Sequence, residues 1–319
     1  MTGVVDTLRC FRLRPLAALA AAVLPAVLAG CTPPDPLPLP ERPEIPFGQG
    51  RLWQVEGEGL APSYVFATMH VADRRVLDLP EAVETAFGTA EIAAFELVED
   101  PKAVEALYVA DRLKLTGDED LEDLIGSWSF GILSWHLKQR QLVPNIDVKP
   151  WVMWSYLGGE GGYYFDDLDW LPDREVLDDW LEGRAVEDGK EVIGLETAEE
   201  HFDVYDKMPL EDQANLLKAT LERYSKRKPS APQVTYYVEG DLAMLYALWQ
   251  DYLSWLEPAS AEVLNDRLID ARNRVMVDRA LPLMERAPTF VAVGALHLPG
   301  EQGVLRLLER QGFTVTRLH

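Results

Sequence analysis

The chain has 319 residues and a formal net charge of −23, with 53 acidic side chains against 30 basic ones. So acidic a protein repels nucleic acid and anionic lipid headgroups, and neither is expected as a ligand. Its two cysteines are Cys10 and Cys31, which excludes a disulfide framework, a cysteine nucleophile and a Cys-type zinc site beyond the N-terminal segment.

In chain order, the first feature is a basic flank of Arg9, Arg12 and Arg14, followed by the apolar run PLAALAAAVLPAVLAG and then Cys31. The run is short and alanine-rich, which reads as a secretory signal over residues 1–30 and not as a membrane span. Leu28-Ala29-Gly30-Cys31 resembles the lipobox of bacterial lipoproteins, which implies cleavage before Cys31 and lipidation of its thiol. Thr32, and not Asp, follows the cysteine. The expected location is therefore the cell envelope, at the outer membrane and facing the periplasm. Residues 31–50 are rich in proline (TPPDPLPLPERPEIPFGQG) and read as an extended, semi-rigid tether. The remainder, 51–319, reads as one domain, long enough for a sizeable core.

That domain opens with two strand-like runs, RLWQVEG and SYVFATM, separated by a Gly/Pro turn, which predicts a hairpin. PEAVETAFGTA predicts a helix with Pro80 at its start, and EIAAFELV a buried strand. From Pro101 to Leu142 the periodicity is helical. A Gly-, Tyr- and Asp-rich loop over 158–173 leads to a helix near 173–183, a strand EVIGLE, and helices near 198–206 and 209–226. Long helical stretches follow over about 238–256 and 259–286. The chain closes with a strand at 289–294, a helix at 300–311 and a strand at 313–317. The fold class is α/β: a central mixed sheet built from N- and C-terminal strand–helix modules, with a large helical insertion between them.

Two segments carry the chemical question. In YVFATMHVAD, His70 follows Ala67 by three positions; in FVAVGALHLPG, His297 follows Gly294 by three. Both stand just past an apolar strand, where α/β proteins place their ligands, and the shared pattern suggests an internal duplication. Glu96 lies within AAFEL, and a carboxylate among apolar neighbours must be paired, hydrogen-bonded or metal-bound. Two His and one carboxylate make an open site for Zn, Mn, Fe or Co.

The residues alone leave plainer readings open. A His after a strand is more often a satisfied core or turn His, and Glu96 could cap a helix or pair with an Arg such as Arg272. Glu196, in GLETAEE, reads as a helix N-terminal carboxylate or as a site residue. His136 lies at helical spacing, His201 in a charged turn of helix, and His319 at the end; none is assigned to the site. The aromatic stretch 151–170 reads as packing. A Ser-nucleophile elbow, P-loop, dinucleotide fingerprint and HExxH are all lacking from the sequence.

ATMHVAD, FELVED, IGLETAEE, ARNRVM and FVAVGALHLPGEQGVLRLLERQGFTV resemble the TraB/GumN family, whose animal relatives are the TIKI proteases. The resemblance runs in order through most of 51–319 and is most specific in the last stretch. It implies that His70, Glu96 and His297 hold a divalent metal (Zn, Mn or Co). Glu196 would serve as general base or as an outer carboxylate. Arg272, beside Asn273, would neutralise buried carboxylates or hold a substrate carboxylate. The implied function is a lipid-anchored, exported metal-dependent hydrolase, a peptidase acting on a peptide or protein substrate, held at the membrane through Cys31. The alternatives are a non-catalytic envelope lipoprotein that binds a ligand or metal in the same pocket, and an esterase-like hydrolase. Two departures stand out: Ala67 replaces the family's Gly, and GGEGGYYFDD replaces a GVDxYF-like loop. The geometry to look for is adjacency of strands 64–68, 92–97 and 289–294, with His70, Glu96 and His297 converging on one small volume.

Overall fold

In the computed structural model the run LWQVE forms β1 (Leu52–Glu56), with Leu52, Trp53 and Val55 buried. It pairs antiparallel with β2 (Ser63–Thr68), Leu52 opposite Phe66 and Val55 opposite Ser63, so the expected hairpin forms. The structure describes residues 38–98, 102, 106–107, 110–117, 119–139, 147–157, 175–225 and 232–319. The signal segment, Cys31 and the loop at 158–173 lie outside the described residues.

Three further strands, β3 (Ile92–Leu97), β4 (Glu191–Glu196) and β5 (Thr289–Gly294), are parallel to one another and to β2. β6 (Thr314–Arg317) pairs antiparallel with β1 and completes a six-stranded mixed sheet in the order β4-β3-β5-β2-β1-β6. The strands expected to be neighbours are therefore β3, β5 and β2, side by side at the centre. Their near-continuous apolar runs reflect burial on both faces. Phe66, Phe95, Phe290 and Val291 join Phe87, Leu181, Met276 and Leu305, from helices Glu81–Thr89, Leu177–Glu187, Ala271–Arg286 and Val304–Arg310, in one core.

The helical middle has its own core around Trp154, Leu217, Leu221, Trp249, Tyr252 and Leu268. There the Trp154 indole N–H donates to the Tyr252 hydroxyl at 2.8 Å. The helical path runs from Gln233–Val238, just ahead of the stretch expected over 238–256, to Leu242–Leu253 within it. Gly240 breaks it with φ +69°, a conformation that costs a Cβ-bearing residue more. The stretch 259–286 is likewise divided, into Pro258–Asn265, a π-helical turn Asp266–Asp270, and Ala271–Arg286.

The tether expected over 31–50 is docked from Arg42 onward. The Ala243 N–H donates to Gly48 O, Gly50 N–H to Gly240 O, Gly300 N–H to Pro46 O, and Arg42 pairs with Asp241 at 2.7 Å. Proline removes donors from this segment but leaves its carbonyls as acceptors, and Phe47 packs on the core. That anchoring shortens the stretch left to act as a spacer. Residues 36–319 form one compact unit, and no helix among the described residues is long and apolar enough to cross a membrane.

Candidate metal centre at the rim of the sheet

Four parallel strands end on the same side of the sheet, and each delivers one chemically distinctive residue there. In spatial order they are Glu196 at the end of β4, Glu96 near the end of β3, His297 just past β5, and His70 just past β2. Neighbouring strands lie about 4.8 Å apart, so these four carriers span about 14 Å of backbone.

Glu96 occupies the centre. Its Oε2 accepts the Gly294 N–H at 3.0 Å and lies 3.8 Å from His297 Nε2. Its Oε1 accepts from Arg272 Nη2. The same guanidinium donates from Nε to Glu196 Oε1 at 2.9 Å and from Nη2 to Glu196 Oε2 at 2.7 Å, so one buried cation ties both carboxylates. Its third arm, Nη1, donates to Leu268 O at 3.1 Å. Leu268 lies within the π turn, where Ala271 N–H reaches back to Asp266 O. The Leu268 carbonyl that accepts from the arginine side chain thus sits in this wider turn, four residues before Arg272.

His297 is only 4% exposed. Its Nδ1 lies 2.6 Å from Asn273 Oδ1, while Asn273 Nδ2 donates to Gln302 O at 2.8 Å. The carbonyl of Gln302 can only accept, which fixes the amide orientation. Asn273 therefore turns an acceptor toward the ring, so Nδ1 carries the proton and Nε2 is the ring nitrogen that faces Glu96. Gly294 is needed for space and not for its backbone angle: a Cβ there would sit 3.2 Å from Glu96 Oε2 and 3.4 Å from His297 Cδ2. Ala67, at the corresponding place in the first motif, has no positive φ, since Phe47 is the only non-glycine with positive φ among the described residues.

His201, left out of the site by the sequence reading, belongs near its centre. Nδ1 lies 3.8 Å from Glu196 Oε2 and 3.4 Å from Arg272 Nη2. Helix Ala198–Asp206 starts on a capping box in which Thr197 and Glu200 bond each other's backbone N–H. The cap is thus Thr197, not Glu196, and the helix start swings His201 back over the strand end. A Thr-x-x-Glu box directly after the Glu196 strand, with a His in its first turn, was the signal available in the sequence.

Among the described residues, Glu96, Glu196 and His201 form the group whose ligand atoms all lie within 4.8 Å of one another. The expected convergence of His70, Glu96 and His297 takes a different form: Glu96 and His297 meet, and His70 does not join the 4.8 Å group. β5 lies between β2 and β3, which sets His70 two strand spacings from Glu96. His70 is instead 73% exposed, with Nδ1 3.5 Å from Asp178 Oδ2.

Burial by itself would push Glu96 up, but the charge of Arg272, with His297, the Gly294 N–H and His201, outweighs it and holds the carboxyl well below the ordinary range. Glu196 follows the same logic: burial raises it, and bonds from His201 and Arg272 lower it on balance. Burial would lower the Arg272 guanidinium, yet the two carboxylates push it well above its usual value. His70 is raised, chiefly by the Asp178 carboxylate beside its Nδ1.

Two carboxylates and two imidazoles, one of them oriented by a hydrogen bond at its far nitrogen, are a donor set suited to a divalent ion. The residues present fit a metal, and Arg272 is the cation that such an ion would compete with for the two carboxylates.

The model of the TraB/PrgY/gumN family matches residues 51–317. Similar curated proteins are the Metalloprotease TIKI1 of Xenopus tropicalis and the Metalloprotease TIKI2 of Danio rerio, each 26% identical over 83% of this chain and 60% of the relative. The Metalloprotease TIKI1 of Homo sapiens is 25% identical over 83% of this chain and 61% of its own length. The matched region thus spans about 60% of these relatives. No solved structure matches. A family match that runs from the first strand to the last, over a mixed sheet with acidic and histidine residues at its rim, places this chain in the TraB/PrgY/gumN family.

Proposed function

We propose that this chain is an exported, lipid-anchored metal-dependent hydrolase that acts on peptide bonds, with its centre at the rim formed by β4, β3 and β5. The observation that carries the reading is the cluster of Glu96, Glu196 and His201, with His297 held against Glu96. The metalloprotease names of its relatives supply the reaction class.

Glu96, Glu196, His201 and His297 would hold the ion. A divalent ion there supplies Lewis acidity toward a scissile carbonyl and toward water. Gly294 N–H and Asn273 keep Glu96 and His297 in position. Arg272 bridges the two carboxylates and keeps them together in spite of burial. Glu196 has both oxygens engaged by Arg272, which suits it to holding charge better than to accepting a proton. His70, exposed at the same rim, is the better placed proton acceptor.

Membrane attachment through the Cys31 thiol, with the domain facing the periplasm from the outer membrane, rests on the Leu28–Cys31 tetrad and Thr32. A palmitate analogue should label the wild type and not Cys31→Ser; equal labelling of both would exclude the anchor. A second reading, a non-catalytic envelope lipoprotein that binds a ligand or metal at this rim, is favoured by one feature. Arg272 already bonds both carboxylates and offsets one of their two charges, so the pair is held together without an ion.

The experiment that separates the two is peptide-library cleavage by full-length protein purified without a histidine tag, together with metal analysis. The hydrolase reading expects about one Zn, Mn or Co per chain and cleavage that a chelator abolishes. Both should be lost in His297→Ala. Bound metal without cleavage supports the binding protein, and undiminished cleavage by His297→Ala contradicts the site.

A further inference from the structure

His70 is exposed, while the carboxylate behind it is half-buried. Asp178 sits in the first turn of helix Leu177–Glu187, where the helix N-terminus favours a negative charge. Its Oδ1 accepts the hydroxyl of fully buried Thr68 at 2.5 Å. Its Oδ2 is shielded from solvent and, among the described residues, has no hydrogen-bond partner. A buried carboxylate oxygen left without a donor is costly and calls for an explanation. The donor facing it is His70 Nδ1, at 3.5 Å, so a small rotation of the exposed ring completes the bond.

The chain path makes this arrangement hard to avoid. Thr68 ends β2 opposite Gly294 of β5, two residues before His70. One strand end thus supplies both the hydroxyl that anchors Asp178 and the imidazole that Asp178 addresses. With Oδ1 held by Thr68, Oδ2 is turned to Nδ1 and to nothing else that bonds it among the described residues.

We infer that Asp178, anchored by Thr68, is a positioning residue for His70. It holds the neutral imidazole as the Nδ1–H tautomer, so that Nε2, on the opposite edge of the ring, carries the lone pair that accepts a proton at the rim. The inference rests on the hydrolase reading for its purpose but not for its geometry. Neither Asp178 nor Thr68 touches the reacting atoms; they act through His70.

The test reads the tautomer directly. In full-length protein labelled with 15N-histidine, ring nitrogen–proton correlations at about pH 8.5 report which nitrogen is protonated in the neutral form. Loss of one signal set in His70→Gln assigns that ring. The wild type should show His70 protonated at Nδ1. In Asp178→Asn, Thr68 still donates to the amide oxygen, which turns the NH2 toward His70 Nδ1 and forces the Nε2–H form. Thr68→Val, which frees the carboxylate without removing it, should give a mixture, and it serves should Asp178→Asn fold poorly.

Cleavage should fall about 10- to 100-fold in kcat in Asp178→Asn, with metal content and KM unchanged. Wild-type His70 protonated at Nε2, or the same tautomer in wild type and Asp178→Asn, overturns the inference. The tautomer is read without substrate, so a failed cleavage assay counts against the hydrolase and leaves this result standing.

Discussion

The two histidine motifs start from one sequence pattern and end in opposite environments. His297 is enclosed, with Asn273 on its Nδ1 and Glu96 3.8 Å from its Nε2. His70, past the parallel neighbouring strand, is 73% exposed and has a carboxylate, Asp178, behind it. A strand–small residue–His pattern thus fixes only the place at the rim. What the imidazole can do depends on the element packed over it: the Arg272–Asn273 helix covers one, and the first turn of helix Leu177–Glu187 stands beside the other.

The largest effect that could break this contrast lies on the enclosed side. Arg272→Met leaves Glu96 and Glu196 close together without their shared cation, and should cost about 3–5 kcal/mol of stability by urea denaturation. Added Zn or Mn should restore part of the loss in this variant. A cost below about 1 kcal/mol would mean that the arginine is not what holds the carboxylates together.

The same pair gives the protein a pH dependence of definite sign. Glu96 and Glu196 are lowered in the folded chain from an ordinary value of 4.5. Their contribution is therefore fully present above about pH 4.5 and drains away as pH falls below it toward the depressed folded values. Exposed Glu200, pushed down to about 2 by Arg279, adds in the same direction, with solvent screening limiting its share. Acid titration of Tm should show a decline below pH 4.5 that is shallower in Glu96→Gln. A stability that rises on acidification would contradict the assignment.

A smaller effect is expected at Asn273→Leu, which strips the acceptor from His297 Nδ1 and the donor from Gln302 O. The loss should be about 1–3 kcal/mol, with the His297 tautomer no longer fixed in the ring nitrogen spectrum. Gly294→Ala follows at about 1 kcal/mol, because its Cβ presses on Glu96 Oε2 and His297 Cδ2; metal affinity should fall more than stability does. At the exposed motif, His70→Gln should change stability by less than about 0.5 kcal/mol while it abolishes most cleavage. Equal stability losses at His70 and Asn273 would erase the distinction between the two motifs.

Much of this layout could be read in advance because apolar strands write themselves plainly. FVAVG and YVFAT, placed as neighbours, lie in parallel register with Thr68 opposite Gly294. Glu96 announced itself as a carboxylate in an apolar strand, and one of the readings left open for it, pairing with Arg272, is what the fold shows. The positions of His201 and Asp178 were harder to foresee. Each lies in the first turn of a helix, and what it faces depends on the order of strands in space, which spacing along the chain does not encode. For the same reason His70 looked like a partner of Glu96: nothing in the sequence says that β5 runs between β2 and β3. The π turn before Arg272 was also invisible, since periodicity over 259–286 reads the same whether or not one turn is widened.

The most direct test of the enclosed centre is an anomalous-scattering map from crystals grown with Co or Zn. The account predicts one strong peak at the ends of β3, β4 and β5, about 2.0–2.2 Å from atoms of Glu96 and His297, with Glu196 or His201 completing the set. A map with no peak there, or with its only strong peak at His70 and Asp178, would contradict it.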